Sequence, residues 1–507
     1  MKNRFIHKSL VVVVVLLAIT SCKKEFLETV PYGKLSVDNF YKTDADAQNA
    51  IVAAYDILQW VNARDWQSVW LAKTLPSDET TCGGSSSGDQ PNLVELDRLN
   101  YSSGNPVIKD VYTGQYFGIY RCNMVINNVE PVNDFRKKII AEAKCLRAYY
   151  YSELVMMFGK VPLTLTELAP SDYSQPRAEV AAIYAQIEKD LTEAIADLPL
   201  RSAYAEADKF RVSKGTAQAL LGKVLLYEEK WKESSDAFEA VITSNEYQLS
   251  TDFSTLFKKT QEFGTESLFE VSFTGVKGYD WGTFQWGGNR NMENNITWQL
   301  CGPRGDYFVA GNSGMVGGWG FVYPTKEIYD AYEATDPRRH ATVWSVGDLQ
   351  ALGGDWTGDA VNPPFDFVGY FRVKYGTFAD ETNGPVGELN YGTNLKLIRY
   401  ADVLLMASEA YYRQTLESKA LTELNKVRQR AGRTDVTASG TALFDAIVKE
   451  RQVELAMEGV RFFDLVRWNL ASSVLGSKFV LNKHELFPIP LDEMTNNSQI
   501  TENNPGY

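Results

Sequence analysis

Histidine is scarce in this chain of 507 residues, which contains only His7, His340 and His484. We expect His7 to lie in a segment that is removed, so a metal site built from several histidines is disfavoured. We expect His340 to lie in a local turn and His484 to be exposed near the C-terminus. The sequence contains no H-E-x-x-H, Walker A, G-x-G-x-x-G or EF-hand motif. We therefore expect no cofactor, and no calcium site is indicated.

Basic residues are fewer than acidic ones. The chain has 51 Lys and Arg and 64 Asp and Glu, which gives a net charge of −13. Nothing in this balance suggests a nucleic-acid partner, and we expect none, since phosphate recognition needs a basic surface. Of the five cysteines, no two form a C-x-x-C pair, and those after Cys22 are too widely spaced for a disulfide framework. We expect Cys122 and Cys145 to be small core residues, because both lie in helical patterns.

Long apolar runs are absent apart from residues 10–19, which follow a basic stretch and precede small residues and Cys22. This is the layout of a secretory signal. About 20 residues are needed to cross a bilayer, which makes a membrane-spanning anchor the weaker alternative. Residues 19–22, Ile-Thr-Ser-Cys, resemble a bacterial lipobox. We therefore expect a lipoprotein signal peptide over 1–21, lipid attachment at Cys22 and a tether over 22–42.

Helical periodicity dominates what remains, and we predict a mostly α fold. Two blocks carry it, 43–254 and 396–475, and together with the intervening segment they form one domain over 43–507. In two places the spacing resembles tetratricopeptide helix pairs. Leu221-Gly222 is followed by Ser234, Phe238 and Val241, and Ser408 and Tyr411 are followed by Ala420, Leu424 and Val427.

Residues 255–395 lack this periodicity and read as a loop-rich insert with a strand at 268–273. Within it, residues 275–324 hold twelve of the 37 glycines and four of the eleven tryptophans. Sugar rings present flat C–H faces that stack on aromatic rings, and glycine lets a loop approach a ligand closely. The aromatic side chains predicted to contact a ligand are Trp281, Trp286, Trp298, Trp319 and Tyr323. Asn289, Arg290, Asn291, Asn294 and Asn295 are candidate hydrogen-bonding neighbours.

Several segments, taken in order, resemble the SusD/RagB family of surface nutrient-binding lipoproteins. The resemblance covers nearly the whole chain and is carried by the lipobox, YFGIYRCNMVINNV (116–129), AEAKCLRAYYYSELVMMFGKVPL (141–163), RVSKGTAQALLGKVLLYEEKW (211–231), RYADVLLMASEAYYR (399–413), ERQVELAMEGVRFFDLVRW (450–468) and the terminal NNPGY.

This resemblance implies a scaffold of tetratricopeptide-like helix pairs and a lipid anchor in the outer membrane, facing the cell surface. It implies that the protein caps a SusC-like TonB-dependent transporter and delivers an oligosaccharide or polysaccharide to it. A peptide ligand, as in a RagB-like importer, is the alternative. In the family, ligand contacts also come from the N-terminal loop, which adds Trp66 and Asp78 as candidates.

Catalysis finds little support in the sequence, and we predict that the chain is not an enzyme. Residues 84–88 match the G-x-S-x-G nucleophile elbow, but they lie in a Ser/Gly loop rather than between a strand and a helix. Glu450, Glu454 and Glu458 share a helix face and raise the alternative of a glycoside hydrolase. Nearby Arg451, Arg461, Asp464 and Arg467 favour a structural network instead, with Glu458–Arg461 and Asp464–Arg467 as i, i+3 pairs.

Overall fold

The computed structural model describes residues 40–286, 292–358 and 364–507. The predicted signal peptide, the predicted lipid attachment at Cys22 and most of the predicted tether lie outside these ranges. Within the described ranges, no helix combines the length and apolar character needed to span a bilayer.

Helices make up most of the described chain and confirm the mostly α prediction. In the N-terminal half they are α1 (Asp44–Ala63), α2 (Val69–Thr74), α3 (Pro91–Asp97), α4 (Pro106–Asn128), α5 (Asp134–Phe158), α6 (Val180–Asp197), α7 (Lys214–Tyr227) and α8 (Trp231–Thr243). They are followed by α9 (Ile296–Leu300), α10 (Lys326–Ala331), α11 (Pro337–Thr342), α12 (Val346–Ala351), α13 (Tyr400–Arg413), α14 (Glu417–Arg430), α15 (Thr441–Glu454), α16 (Arg461–Arg467), α17 (Ala471–Leu475) and α18 (Leu491–Asn496).

The long helices pack against one another in chain order. Helix α1 packs on α4, α4 on α5, α5 on α6, α6 on α7 and α7 on α8, and α8 then meets α13, which pairs with α14. Their starts follow local rules: Thr43 and Asp46 form a capping box at α1, and the Asn105 side chain caps α4, whose first residue is Pro106. The result is a row of helix pairs into which the insert is built.

Small residues set the spacing of two of these pairs, as the sequence predicts. A Cβ atom on Gly222 of α7 would lie 2.5 Å from the Phe238 ring of α8, so only glycine fits there. The Ser234 hydroxyl donates a 2.8 Å hydrogen bond to the Gly222 carbonyl, and the Ser408 hydroxyl donates one of 2.7 Å to the Ala420 carbonyl. Both hydroxyls are fully buried, so these bonds tie each helix to its partner.

Short antiparallel strand pairs organise the remainder. They are β1 (Thr80–Thr81) with β4 (Tyr323–Pro324), β2 (Ser267–Val271) with β8 (Leu395–Arg399), β3 (Phe308–Val309) with β6 (Asp355–Trp356), and β5 (Val343–Ser345) with β7 (Tyr370–Arg372). The predicted strand at 268–273 is thus present as β2. Because β8 leads directly into α13, the β2–β8 ladder joins the two ends of the insert beside the helical scaffold.

A buried ion-pair network holds Glu450 and Glu454 of α15 together with Glu458, which confirms their structural interpretation. The expectation that all three share one helix face is wrong for Glu458, because α15 ends at Glu454. Arg338 donates to Glu450 and Glu454 at 2.6 and 2.8 Å, and Arg399 donates to Glu454 and Glu458 at 2.6 and 2.8 Å. The predicted pairing of Glu458 with Arg461 is wrong, because Lys374 and Arg399 hold Glu458. The pair Asp464–Arg467 is confirmed, at 2.8 Å.

The expectation for His484 is also wrong. The ring is 2% exposed and lies among Tyr101, Phe479 and Tyr507. Its Nδ1 accepts a 2.9 Å hydrogen bond from the Val480 amide. Cys122 and Cys145 are buried with free thiols, as predicted for core residues.

Candidate functional site

Four of the tryptophans singled out in the sequence lie together on one face of the protein. The ring centroids of Trp66, Trp286 and Trp319 are 5.8–6.1 Å apart, and Trp281 lies 6.5 Å from Trp319. The Trp66 and Trp286 rings are almost parallel, at 8°, and those of Trp281 and Trp319 at 15°. We call these four residues the tryptophan platform.

Three separate segments build the platform. Trp66 lies in the single turn Asp65–Gln67 between α1 and α2. Trp281 and Trp286 lie in the loop that follows β2, and Trp319 lies in the glycine-rich segment before β4. Phe321 packs edge-on against Trp66 at 4.7 Å, and Phe284 packs edge-on against Trp286 at 4.9 Å. These two phenylalanines support the platform from beneath, since they are buried.

A tight turn fixes the loop between the two exposed tryptophans. The Asp280 carboxylate accepts hydrogen bonds of 2.9 Å from the amides of Gly282 and Thr283 and one of 3.0 Å from the Thr283 hydroxyl. These bonds favour the charged carboxylate, so the Thr283 hydroxyl and the two amides lower the pKa of Asp280. The turn therefore holds Trp281 next to Trp319 without help from a ligand.

The outer faces of the platform are open to solvent. Trp281 is 54% exposed and Trp286 48%. The centroid distances within the platform are those of rings in direct contact, which leaves no room for a ligand between them. A ligand must therefore lie across the outer faces, as a flat apolar ring surface would.

A polar cleft of about 450 Å³ borders the platform. The aromatic residues Trp66, Trp319 and Phe321 line it, together with the polar residues Asp89, Gln299, Arg304, Asp306 and Glu388. Arg304 pairs with Asp306 at 2.8 Å. The Gln299 Oε1 atom is buried and accepts no hydrogen bond within the described residues. The cleft thus offers an amide, a guanidinium and carboxylates beside aromatic faces.

The glycines near Trp319 bring two backbone segments together rather than a backbone and a ligand. A Cβ atom on Gly318 would lie 2.5 Å from the Cα of Gly302, and one on Gly317 would lie 2.7 Å from that of Gly305. The Trp319 amide donates to the Gln299 carbonyl at 3.0 Å, which completes the contact. The expectation that these glycines serve ligand approach is therefore corrected: they position Trp319.

Trp298 and Tyr323 do not belong to the platform, and their prediction as ligand contacts is wrong. Each is 1% exposed. Trp298 stacks on Tyr375 at 4.5 Å and donates from Nε1 to the Thr393 carbonyl at 3.0 Å. Tyr323 lies in β4 with its ring over Gly83. Both fill space beneath the loops of the insert.

Asp78 is likewise engaged elsewhere. Its two carboxylate oxygens accept hydrogen bonds from Nε and Nη2 of Arg461 at 2.9 and 3.0 Å. The Asp78 side chain is 11% exposed and that of Arg461 7%. The predicted polar contact with a ligand is therefore replaced by a bidentate ion pair, which ties the N-terminal loop to α16.

Of the polar candidates near Trp298, Asn294 and Asn295 are buried and have structural partners. Asn294 donates to the Leu389 carbonyl at 2.6 Å, and Asn295 caps α9 by accepting from the Thr297 amide at 3.1 Å. Asn289, Arg290 and Asn291 lie outside the described residues. Sequence reasoning missed Phe284, Phe321, Gln299, Arg304 and Glu388. Phe284 and Phe321 could have been found from the sequence, because each lies two residues from a predicted tryptophan, Trp286 and Trp319 respectively.

Known proteins resemble this chain over most of its length. Residues 265–507 match the sequence model of the SusD family, and residues 25–226 match that of a family described as starch-binding associating with outer membrane. A solved structure described as a laminarin binding SusD-like protein is 32% identical, covers 92% of this chain and 100% of its own, and superposes with a TM-score of 0.83.

The chain belongs to the SusD/RagB family. Other members are similar over nearly their whole length. SusD-like protein P2 of Formosa agariphila is 28% identical over 98% of both chains. Surface glycan-binding protein A from Bacteroides thetaiotaomicron, solved in complex with laminarihexaose, is 26% identical with a TM-score of 0.78, covering 91% of this chain and 100% of its own. SusD/RagB membership thus agrees with the row of helix pairs seen here.

Proposed function

We propose that this protein is a surface glycan-binding protein that holds a neutral oligosaccharide of the laminarin type across the tryptophan platform. One observation carries the proposal: four tryptophans from three segments converge, and two of them present their faces to solvent. Two similar solved structures are described as binding laminarin or laminarihexaose, which favours a glucan over a peptide. The polar cleft beside the platform supplies donors and acceptors for the hydroxyl groups.

We further propose that the chain is lipid-anchored through Cys22 at the outer membrane surface and passes its ligand to a SusC-like TonB-dependent transporter. The lipobox-like sequence at residues 19–22 and the match of residues 25–226 to a family described as associating with the outer membrane support this. The folded body carries excess negative charge, so attraction to anionic lipid is a poor substitute for the anchor.

We also propose that the protein binds its glycan without cleaving it. Hydrolysis requires two carboxylates facing each other across the scissile bond. Glu450, Glu454 and Glu458 are all buried in ion pairs, so they are not available for this role.

Calorimetry tests the proposal with the soluble chain beginning at Lys23. The ligands are laminarin, laminarihexaose, a starch oligosaccharide of equal length and a mixture of peptides. We expect laminarihexaose to bind in the micromolar range and to be recovered intact. Tighter binding of peptides than of any glycan, or release of shorter sugars, would overturn the proposal.

A further inference from the structure

A second cleft, of about 430 Å³, lies on a different part of the protein. Helix α4 supplies Tyr116 and Tyr120, which are four residues apart and therefore share one helix face. The segment between α5 and α6 supplies Thr166, Glu167 and Tyr173. The third side is α18 and the residue that follows it, through Glu493 and Asn497. Nothing in the platform contributes to this cleft.

Hydrogen bonds hold the walls of this cleft in place. The Tyr116 hydroxyl donates to the Pro162 carbonyl at 2.7 Å, and the Asn123 side chain donates to the Thr164 carbonyl at 3.0 Å. On the other side, the Asn497 side chain donates to the Gln175 carbonyl at 2.9 Å. The segment between α5 and α6 is thus fixed at both ends, which makes the cleft preformed rather than dependent on a ligand.

The chemistry of the cleft suits a neutral hydroxyl-bearing ligand. Tyr173 is 66% exposed and Tyr120 45%, so both offer ring surface for a sugar face. Among the described residues that line it there is no Lys or Arg, whereas Glu167 and Glu493 are present. An anionic ligand is therefore repelled, while the carboxylates and amides can accept and donate hydrogen bonds to hydroxyl groups.

Aromatic side chains link the second cleft to the platform. Phe284 contacts Trp286 at 4.9 Å and also lines a groove with Trp60 of α1. Trp60 lies edge-on to Phe117 of α4 at 5.7 Å. Phe117 is 37% exposed and lies three residues before Tyr120 in α4, which makes the two side chains neighbours on the helix surface. Because Phe284 is buried, these ring contacts run beneath the surface and connect the supports of the platform, through α1, to the helix that carries the second cleft.

We propose that this cleft is a second glycan-binding site, which a polysaccharide long enough to reach both sites occupies together with the platform. The inference rests on the proposed function, since it assumes the same class of ligand. Two linked sites on one polymer raise the overall affinity without any new contact, because the second binding event becomes intramolecular. A short oligosaccharide gains nothing from the arrangement, so the dependence on ligand length is its signature.

Calorimetry with two probes, laminarihexaose and laminarin, tests this proposal on the soluble chain from Lys23. Tyr120→Ala combined with Tyr173→Ala removes the exposed aromatic rings of the second cleft. Trp281→Ala combined with Trp286→Ala removes the two exposed rings of the platform. All four side chains are exposed, so neither double variant should unfold the protein, which thermal melting checks. Val132→Ala combined with Leu481→Ala, two apolar side chains that are 63% and 64% exposed elsewhere, is the matched control.

We expect the cleft variant to bind laminarin at least about fivefold more weakly than the unaltered chain, while laminarihexaose affinity at the platform changes less than about twofold. The platform variant should keep weak laminarin binding, which disappears when all four substitutions are combined. In the unaltered chain, laminarin should protect residues 164–175 from hydrogen–deuterium exchange.

A cleft variant that binds laminarin as tightly as the unaltered chain, or unchanged exchange over 164–175, overturns the second site and leaves the proposed function intact. Failure of the unaltered chain to bind either probe overturns both.

Discussion

Trp66 and Trp286 come from segments far apart in the chain, yet their indole rings are nearly parallel, at 8°, with centroids 6.1 Å apart. This contact joins the helical scaffold to the insert. It also means that the platform exists before any ligand arrives, because protein side chains alone align the rings. Binding then costs little reorganisation, and the affinity depends chiefly on the exposed faces.

Replacing either exposed tryptophan should weaken binding while leaving the fold intact. We expect Trp281→Ala and Trp286→Ala each to lower laminarihexaose affinity about five- to tenfold. Each substitution removes an indole face whose stacking on a sugar ring contributes about 1 kcal/mol to the binding free energy. Calorimetry measures the loss. Val276→Ala is the control, since this side chain is 83% exposed in the same loop and lies outside the platform. Equal affinities for all three variants would contradict the platform.

Trp298 should behave in the opposite way. Its ring is buried against Tyr375 and Trp70, so Trp298→Ala should lower the free energy of unfolding by about 3–5 kcal/mol. Trp298→Phe keeps most of the ring contact but leaves the Thr393 carbonyl without its donor, which costs about 1–3 kcal/mol. Urea unfolding checks both values. A Trp298→Ala variant of normal stability that had lost glycan binding would restore this residue to the ligand site.

Asp78→Asn should destabilise the protein without altering its affinity for glycan. The substitution leaves the buried Arg461 guanidinium without its counter-charge, a loss of about 3–5 kcal/mol. The matched control is Asp366→Asn, which breaks the pair with Arg98, whose side chains are 35% and 47% exposed. Such a surface pair contributes about 0–1 kcal/mol. Chemical denaturation distinguishes the two variants, and calorimetry on the folded fraction tests the unchanged affinity.

Glu79 should make stability depend on pH. Burial, together with the neighbouring Asp78 carboxylate, raises the pKa of Glu79 to about 8. Because the folded state holds this proton more tightly than the unfolded chain, the contribution is fully present below the ordinary pKa of about 4.5 and is lost as pH rises through about 8.

Glu79→Gln keeps an oxygen that can accept the 2.8 Å hydrogen bond from the Met457 amide, and it cannot ionise. The free energy of unfolding of this variant should therefore fall less steeply between pH 5 and 8, a range set by the two pKa values, about 4.5 and about 8. Urea titrations at several pH values measure the slope. Identical slopes for both proteins would show that Glu79 titrates normally.

Sequence periodicity predicted the scaffold well, because the buried face of a helix is set by apolar residues three and four positions apart within that helix. The start of α4 at Pro106 and the contact of Gly222 with Phe238 follow from residues within one or two helices. The site follows no such rule. Whether Trp281 is exposed or Trp298 is buried depends on partners that are distant in the chain, such as Tyr375. The spacing of residues within a loop does not indicate which distant residues the loop will contact. His484 was misjudged for the same reason, since Tyr101 and Tyr507 cover it.

Gly318 offers a way to move Trp319 without touching the indole itself. In Gly318→Ala, the new methyl group would meet the backbone of Gly302 at 2.5 Å, so one of the two segments must shift. Overpacking of this kind costs about 1–3 kcal/mol. Because the next residue, Trp319, contacts all three other members of the platform, its displacement should also lower laminarihexaose affinity.

The control for this substitution is Gly88→Ala, where the nearest atom, the Ser86 hydroxyl oxygen, lies 3.8 Å from the new methyl group. Calorimetry and thermal melting of the two variants should differ in both affinity and stability. A Gly318→Ala variant that loses stability but binds normally would show that the platform tolerates movement of Trp319. In that case the exposed pair Trp281 and Trp286, with Phe284 beneath them, would be sufficient to hold the ligand.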